Sequence, residues 1–288
     1  MSGAESAQER LPVGEWPLDR PLSVVVVGNS LTFDQVPART THLEGTYGEV
    51  LRDELAALGQ PVALHLEGRW FEFVSSGLRR YEQSVRAHVP DVVIVQYGLN
   101  ESQPYLFPIC GLRHFITDHK SACRFTLGYR RHVVTPVWRR VRAMRRFLSP
   151  IVGTRTWQMT PERFRGKMSS LIGKTRREFR PLVLVMDVAP PGPLLEHFLP
   201  GQAERHRIYQ QVLEELVDGF GDRDVRLVRT EPVVRALGFE AALPDGMHFS
   251  VLGHRMVGEL LTAEVLDWLG QRSDENAIAA DLLLRQTR

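Results

Sequence analysis

The stretch VVVVGNSLTF, residues 24–33, runs four valines into a glycine and then offers Asn29 and Ser30. A strand covered on one face alternates apolar and polar side chains, whereas one buried on both faces is apolar throughout. Residues 24–27 read as the second kind, a central strand of a parallel sheet. Such sheets carry ligand chemistry in the loops at the carboxyl ends of their strands. The same ten residues also fit an ordinary strand-to-helix turn whose serine caps the next helix. The rest of the chain has to decide.

Working outward, strand-like and helix-like segments alternate. Residues 22–28 form the first strand. TYGEVLRDELAAL (46–58) sets Val50, Leu51, Leu55 and Leu58 on one helical face, and Gly59 ends it. Residues 62–67 make a second strand leading to Gly68, and 78–89 a helix striped by Leu78, Tyr81, Val85 and Val89 and stopped by Pro90. DVVIVQYGLN (91–100) and PLVLVMDVAPP (181–191) are the third and fourth strands, 201–219 is helical, DVRLVR (224–229) is a short fifth strand, and 251–269 close as a helix. This alternation implies parallel βαβ units with right-handed crossovers, hence a three-layer α/β/α domain of about five strands.

One segment breaks the rhythm. About 80 residues separate Asn100 from the fourth strand, more than one crossover helix and its loops require. Within them, PVWRRVRAMRRFLSP (136–150) places Val137, Val141, Met144 and Leu148 on one face, flanked by Trp138 and Phe147, with Arg139, Arg142, Arg145 and Arg146 on the other side. The expected organisation is an N-terminal extension (1–21), a domain over 22–271 with a basic helical insertion over about 106–180, and a C-terminal tail (272–288).

Charge is concentrated in that insertion. The chain's net charge is only +2, yet residues 120–180 hold 17 Lys and Arg against Glu162 and Glu178, a net of +15 that leaves the remainder at −13. With 43% hydrophobic and 24% charged residues the composition is that of a globular domain. No apolar run approaches the roughly 18 residues of a membrane span, and the first twenty residues hold no secretory h-region. Cys110 and Cys123 form no CxxC pair and no zinc-ligand cluster, so neither a disulfide framework nor a metal site is expected and a cytoplasmic location is.

The chemistry collects just past the strands. Gly28-Asn29-Ser30 follows the first, Gly68 the second, Gly98-Leu99-Asn100-Glu101 the third, and DGMHFSVLGH (245–254) precedes the last helix. A doubly wound sheet brings such loops to one rim. A serine hydroxyl is a poor nucleophile until an imidazole takes its proton, which assigns His248 to Ser30. The imidazole's second nitrogen needs an anchor, which Asp245 can supply from the same turn. The Asn100 amide and the backbone N–H groups of Ser30 and Gly68 can donate to an oxyanion, each contributing on the order of 3–4 kcal/mol.

GNSLTF, YGLNE and DGMHFSVLGH resemble blocks I, III and V of the SGNH, or GDSL-type, hydrolases. The resemblance covers roughly residues 22–105 and 181–269 and leaves the basic insertion outside. It implies a flavodoxin-like fold, serine esterase or acyl-transfer chemistry on an acyl ester, and no cofactor. Ser30 would be the nucleophile, Asn100 an oxyanion donor, and Asp245 and His248 the other members of a catalytic triad. Asn29 and Glu101 each stand where the family carries aspartate; neither is a reacting group. The block II glycine is Gly68, which directly follows a strand, or Gly77. His254, inside the last helix, reads as structural.

Hydrolysis through an acyl-enzyme on Ser30 is the expected activity. An acyltransferase using the same intermediate is the alternative, and a binding module that has lost activity is disfavoured by the intact Ser, Asn, Asp and His. The insertion suits an anionic partner (an acidic carrier protein, a phosphorylated substrate or a lipid) or forms a lid, and no motif supports specific nucleic-acid binding.

Overall fold

The structure, a computed structural model, describes residues 20–32, 45–106, 132–133 and 135–286. Five strands, β1 (Leu22–Gly28), β2 (Val62–Leu66), β3 (Val92–Gln96), β4 (Leu182–Met186) and β5 (Val225–Val228), form one parallel sheet in the order β2-β1-β3-β4-β5. This is the expected flavodoxin-like arrangement. Strand order reverses at β1, so a crevice opens between the carboxyl ends of β1 and β3. Their register pairs Val24 with Val92 and Gly28 with Gln96, which ends both strands at the same level.

All seven residues of β1 are buried, and its alternate side chains feed two cores. Leu22, Val24 and Val26 point to a layer made by α1 (Tyr47–Ala57), α8 (Glu231–Leu237) and α10 (Val251–Gln286). Val25 and Val27 point to the opposite layer of α2 (Val74–Arg79), α5 (Pro161–Phe179) and α7 (Gln202–Phe220). The unbroken valine run is thus the signature of a strand covered on both sides. Helix α1 starts at a reciprocal cap: the Thr46 hydroxyl accepts from Glu49 N–H while the Glu49 carboxylate accepts from Thr46 N–H at 2.7 Å.

Three local expectations are corrected. The helix expected over 78–89 is broken into α2, α3 (Tyr81–Ser84) and a 3-10 turn over Arg86–His88. The break falls at Arg80, whose guanidinium is drawn into a fork on Glu72 at 2.9 and 2.7 Å. Second, the last helix does not stop at 269 but continues as α10 to Gln286. Third, the region expected as insertion divides in two. Helix α5 is the ordinary β3-to-β4 crossover, with Phe164, Met168, Leu171 and Ile172 in the core. Within that region only α4 (Thr135–Val152) is additional to the α/β/α frame among the described residues; the short helices α6 (Pro193–Phe198) and α9 (Phe239–Ala242) lie in later connections. Cys110 and Cys123 lie outside those residues, as does the front of the insertion.

Helix α4 keeps most of the face its sequence suggests half-buried, through Val137, Val141 and Leu148, but is rotated so that its most buried positions are polar. Met144 is exposed and Arg145 is buried, because the Arg145 guanidinium donates to Gln103 Oε1 at 2.8 Å. Ser149 donates to Pro200 O at 2.9 Å beside it. From α7, Arg205 reaches the carbonyls of Ser102, Thr156 and Gly153 and lies over the Trp157 ring. Burial pulls its pKa down to about 10, still far above neutrality, so a cation supported by carbonyls ties the α4–α5 connection to the loop after β3. No helix among the described residues is long and apolar enough to cross a membrane.

Candidate active site

Ser30 sits two residues beyond the end of β1, on a 3-10 turn spanning Ser30–Thr32. The turn is closed by Thr32, whose N–H and hydroxyl both donate to Asn29 O, at 3.2 and 2.8 Å. Two glycines let this turn sit where it does. A Cβ at Gly28 would fall 2.4 Å from Gln96 O, and one at Gly68 would fall 1.4 Å from Thr32 Oγ1. The loop after β2 therefore lies directly against the serine turn. A Cβ at Gly77 would instead collide with the Tyr97 hydroxyl at 2.1 Å, which places Gly77 in side-chain packing under α2 and Gly68 at the rim.

Across the crevice, the loop leading into α10 delivers the other two groups. Ser30 Oγ is 2.9 Å from His248 Nε2, and His248 Nδ1 is 2.6 Å from Asp245 Oδ2. Asp245 Oδ1 accepts from the N–H groups of Met247 and His248 at 3.0 and 2.7 Å, so its carboxylate is oriented by its own turn. Burial alone would push this carboxyl up; the hydrogen bond and charge of His248, with the two N–H donors, outweigh it and leave it below the usual aspartate range. The turn is possible because Gly246 adopts φ +88°, with Leu195 N where a Cβ would lie 2.5 Å away. Ser250 then caps α10 by accepting from Gly253 N–H at 3.0 Å. The arrangement fixes the tautomer: Nδ1–H donates to Asp245 and Nε2 accepts from the serine.

Asn100 and Glu101 fasten the third loop to the second. Asn100 Nδ2 donates to Glu72 O at 3.0 Å, which uses one of its two amide hydrogens. Glu101 is wholly buried, with Oε1 accepting from Val74 N–H at 2.7 Å and Oε2 from Gly98 N–H at 2.9 Å. The one-methylene-longer side chain, where the resembled family carries aspartate, spans from the β3 turn to the start of α2. Trp70 approaches the His248 ring, with centroids 6.3 Å apart. Sequence reasoning did not single out Thr32, Glu72 or Trp70, because their contacts link residues far apart in the chain.

Burial raises the Glu101 pKa to about 7; the N–H bonds from Val74 and Gly98 oppose that shift and Glu72 adds to it. In the unfolded chain the group titrates near 4.5. Between these values the folded state holds more protons, so stability falls as pH rises from about 4.5 to 7 and is level beyond. The change attributable to Glu101 is on the order of 3 kcal/mol. Urea unfolding at pH 5 and pH 8 should show this loss, and Glu101→Gln should flatten it. Equal pH slopes in both proteins would mean that Glu101 stays ionised throughout.

His254 is structural, as expected. Its Nδ1 accepts from Tyr47 N–H at 3.2 Å in the first turn of α1, and burial lowers its pKa to about 4, so the ring is neutral.

The sequence matches no protein-family profile and no curated protein. Its fold does have solved counterparts. A lipase/acylhydrolase from Enterococcus faecalis superposes with a TM-score of 0.56 at 16% identity, covering 85% of this chain and 95% of that one. The acetyl xylan esterase AlAXEase gives 0.54 at 17%, over 85% and 100%. A GDSL-like lipase from Parabacteroides merdae gives 0.54 at 14%, over 86% and 96%. The chain therefore has the α/β/α fold of the SGNH hydrolases.

Proposed function

We propose that this protein is a serine esterase that hydrolyses an O-acyl ester through an acyl-enzyme on Ser30. The observation that carries the reading is the continuous Ser30–His248–Asp245 hydrogen-bond chain, with steps of 2.9 and 2.6 Å, at the sheet's switch point. Esters of a carbohydrate or lipid alcohol are the substrate class suggested by the acetyl xylan esterase and lipase neighbours.

In this reading Ser30 Oγ attacks the ester carbonyl carbon while His248 Nε2 takes its proton. Asp245 stabilises the imidazolium that forms. The carbonyl oxygen becomes an oxyanion that Ser30 N–H, Gly68 N–H and the Asn100 amide receive. Collapse breaks the ester bond, the alcohol leaves with the proton from His248, and the acyl group remains on Ser30. Water then gives its proton to His248 and attacks the acyl carbon, and the proton returns to Ser30 as the acid departs. An alcohol acceptor replacing water would make the same site an acyltransferase.

Product analysis tests this. The protein is incubated with short- and medium-chain acyl esters and with an acetylated xylo-oligosaccharide, with and without added alcohols. Free acid is the expected acyl product; acyl transferred to the acceptor would assign transfer instead, and no turnover of any ester would refute the esterase reading. Asn100→Ala should lower kcat roughly 10²–10³-fold with little change in KM, because oxyanion donation strengthens in the transition state. A pure KM effect would make Asn100 a ground-state binder.

A further inference from the structure

Helix α4 is unusual in what it leaves outside. Its inward side is anchored by polar groups, Arg145 on Gln103 and Ser149 on Pro200 O, while Met144, Phe147 and Ile151 are 42%, 72% and 61% exposed. At about 100° per residue, Arg140, Met144, Phe147 and Ile151 fall within a stripe roughly 60° wide, and Arg139 and Arg146 line one side of it. Exposed large apolar groups are ordinary singly; a contiguous ridge rimmed by cations marks an interaction site.

The charges support the same conclusion. Helix α5 is also basic, and three of its six cations are matched within the molecule: Arg165 with Glu215, Lys174 with Glu82, and Arg176 with Asp222 and Asp224. Helix α4 contains no acidic residue, and Arg139, Arg140 and Arg146 have no acidic partner among the described residues. Internal pairing thus offsets part of the α5 charge, whereas these three α4 arginines are exposed and unmatched.

We propose that the exposed ridge of α4 is an interfacial element that seats this protein on an anionic lipid surface. A helix lying in the interface plane needs apolar side chains that reach the headgroup–acyl boundary and arginines beside them that reach lipid phosphates. Phe147 and Ile151 keep most of their surface exposed. Apolar side chains exposed to this extent can insert into a deformable surface without a preformed complement, and the unmatched arginines beside them call for an anionic one. Arginine suits the position because its long stem lies along apolar surface while the guanidinium stays at the phosphate level. From Arg140 to Ile151 the ridge runs about 17 Å along the helix. The inference is independent of the esterase reading, since neither Ser30 nor His248 takes part in docking.

Co-sedimentation of the full chain with vesicles tests it, using phosphatidylcholine alone and phosphatidylcholine mixed with phosphatidylglycerol. Binding is expected only to the mixed vesicles and should fall steeply as salt shortens the Debye length from roughly 10 Å to 3 Å. Replacing Arg139, Arg140 and Arg146 together by Gln should weaken it roughly 10²-fold. Phe147→Ser with Ile151→Ser should weaken it by at least about tenfold with every charge kept. Both variants should retain the wild-type urea midpoint, which separates lost docking from lost folding; a variant that unfolds is replaced by its single substitutions. Absence of binding to anionic vesicles, equal binding to neutral ones, or indifference to the Phe147 and Ile151 changes would overturn the proposal. So would sedimentation velocity showing a dimer that the Ser variant dissociates, or binding to polyglutamate without binding to vesicles.

Discussion

Ser30→Ala should reduce kcat by roughly 10⁶-fold, the scale seen when a serine triad loses its nucleophile. The hydroxyl at this position has no substitute, since Thr32, the next hydroxyl on the turn, is committed to Asn29 O. A fluorophosphonate probe should label wild-type protein at Ser30 and leave the variant unlabelled. The substitution removes one oxygen from a turn held by backbone and Thr32 bonds, so the urea midpoint should hardly move. Full activity in Ser30→Ala, with the label found on another serine, would end the esterase assignment to this site.

The second large effect separates the proton carrier from its orienter. His248→Ala removes the base and should cost roughly 10⁶ in kcat. Asp245→Asn should cost less, roughly 10⁴, for a reason visible in the turn. The amide oxygen can keep accepting from the N–H groups of Met247 and His248, which holds the side chain in place. Its NH2 then faces His248 Nδ1, so the ring must accept there and carry its proton on Nε2, the nitrogen that should receive one from Ser30. Stopped-flow acylation rates for both variants report the order directly. If Asp245→Asn proved the more damaging, the two roles would have to be exchanged.

What could be read from the sequence was set by the span over which each contact acts. The valines of β1 announce their two-sided burial locally, and Asp245 and His248 are three residues apart on one turn. Parallel topology then brings the strand-end loops together without any further information. Contacts that decide orientation across long separations were not readable. The burial of Arg145 on α4 depends on Gln103, forty-two residues earlier, which no pattern within the helix discloses. The break at Arg80 depends on Glu72 in the preceding loop. Length alone assigns all of 106–180 to an insertion; that Phe164, Met168, Leu171 and Ile172 make α5 the ordinary crossover shows only once the sheet they cover is in place. The packing of Gly68 against Thr32, and of Gly77 against Tyr97, likewise joins residues that no spacing rule connects.

One residue of the loop after β2 bears on how this protein could be engineered. Phe71 adopts φ +52°, a left-handed conformation that is a genuine outlier for a bulky side chain and is worth on the order of 1–3 kcal/mol of strain. A stabilisation campaign that screens backbone outliers would nominate glycine there. The same exchange would enlarge the repertoire of shapes open to the segment joining Gly68 to Glu72, whose carbonyl holds Asn100. Thermal tolerance and catalytic fidelity would then be traded at a single codon, and directed evolution for heat resistance should leave Phe71 in place whenever turnover is selected as well.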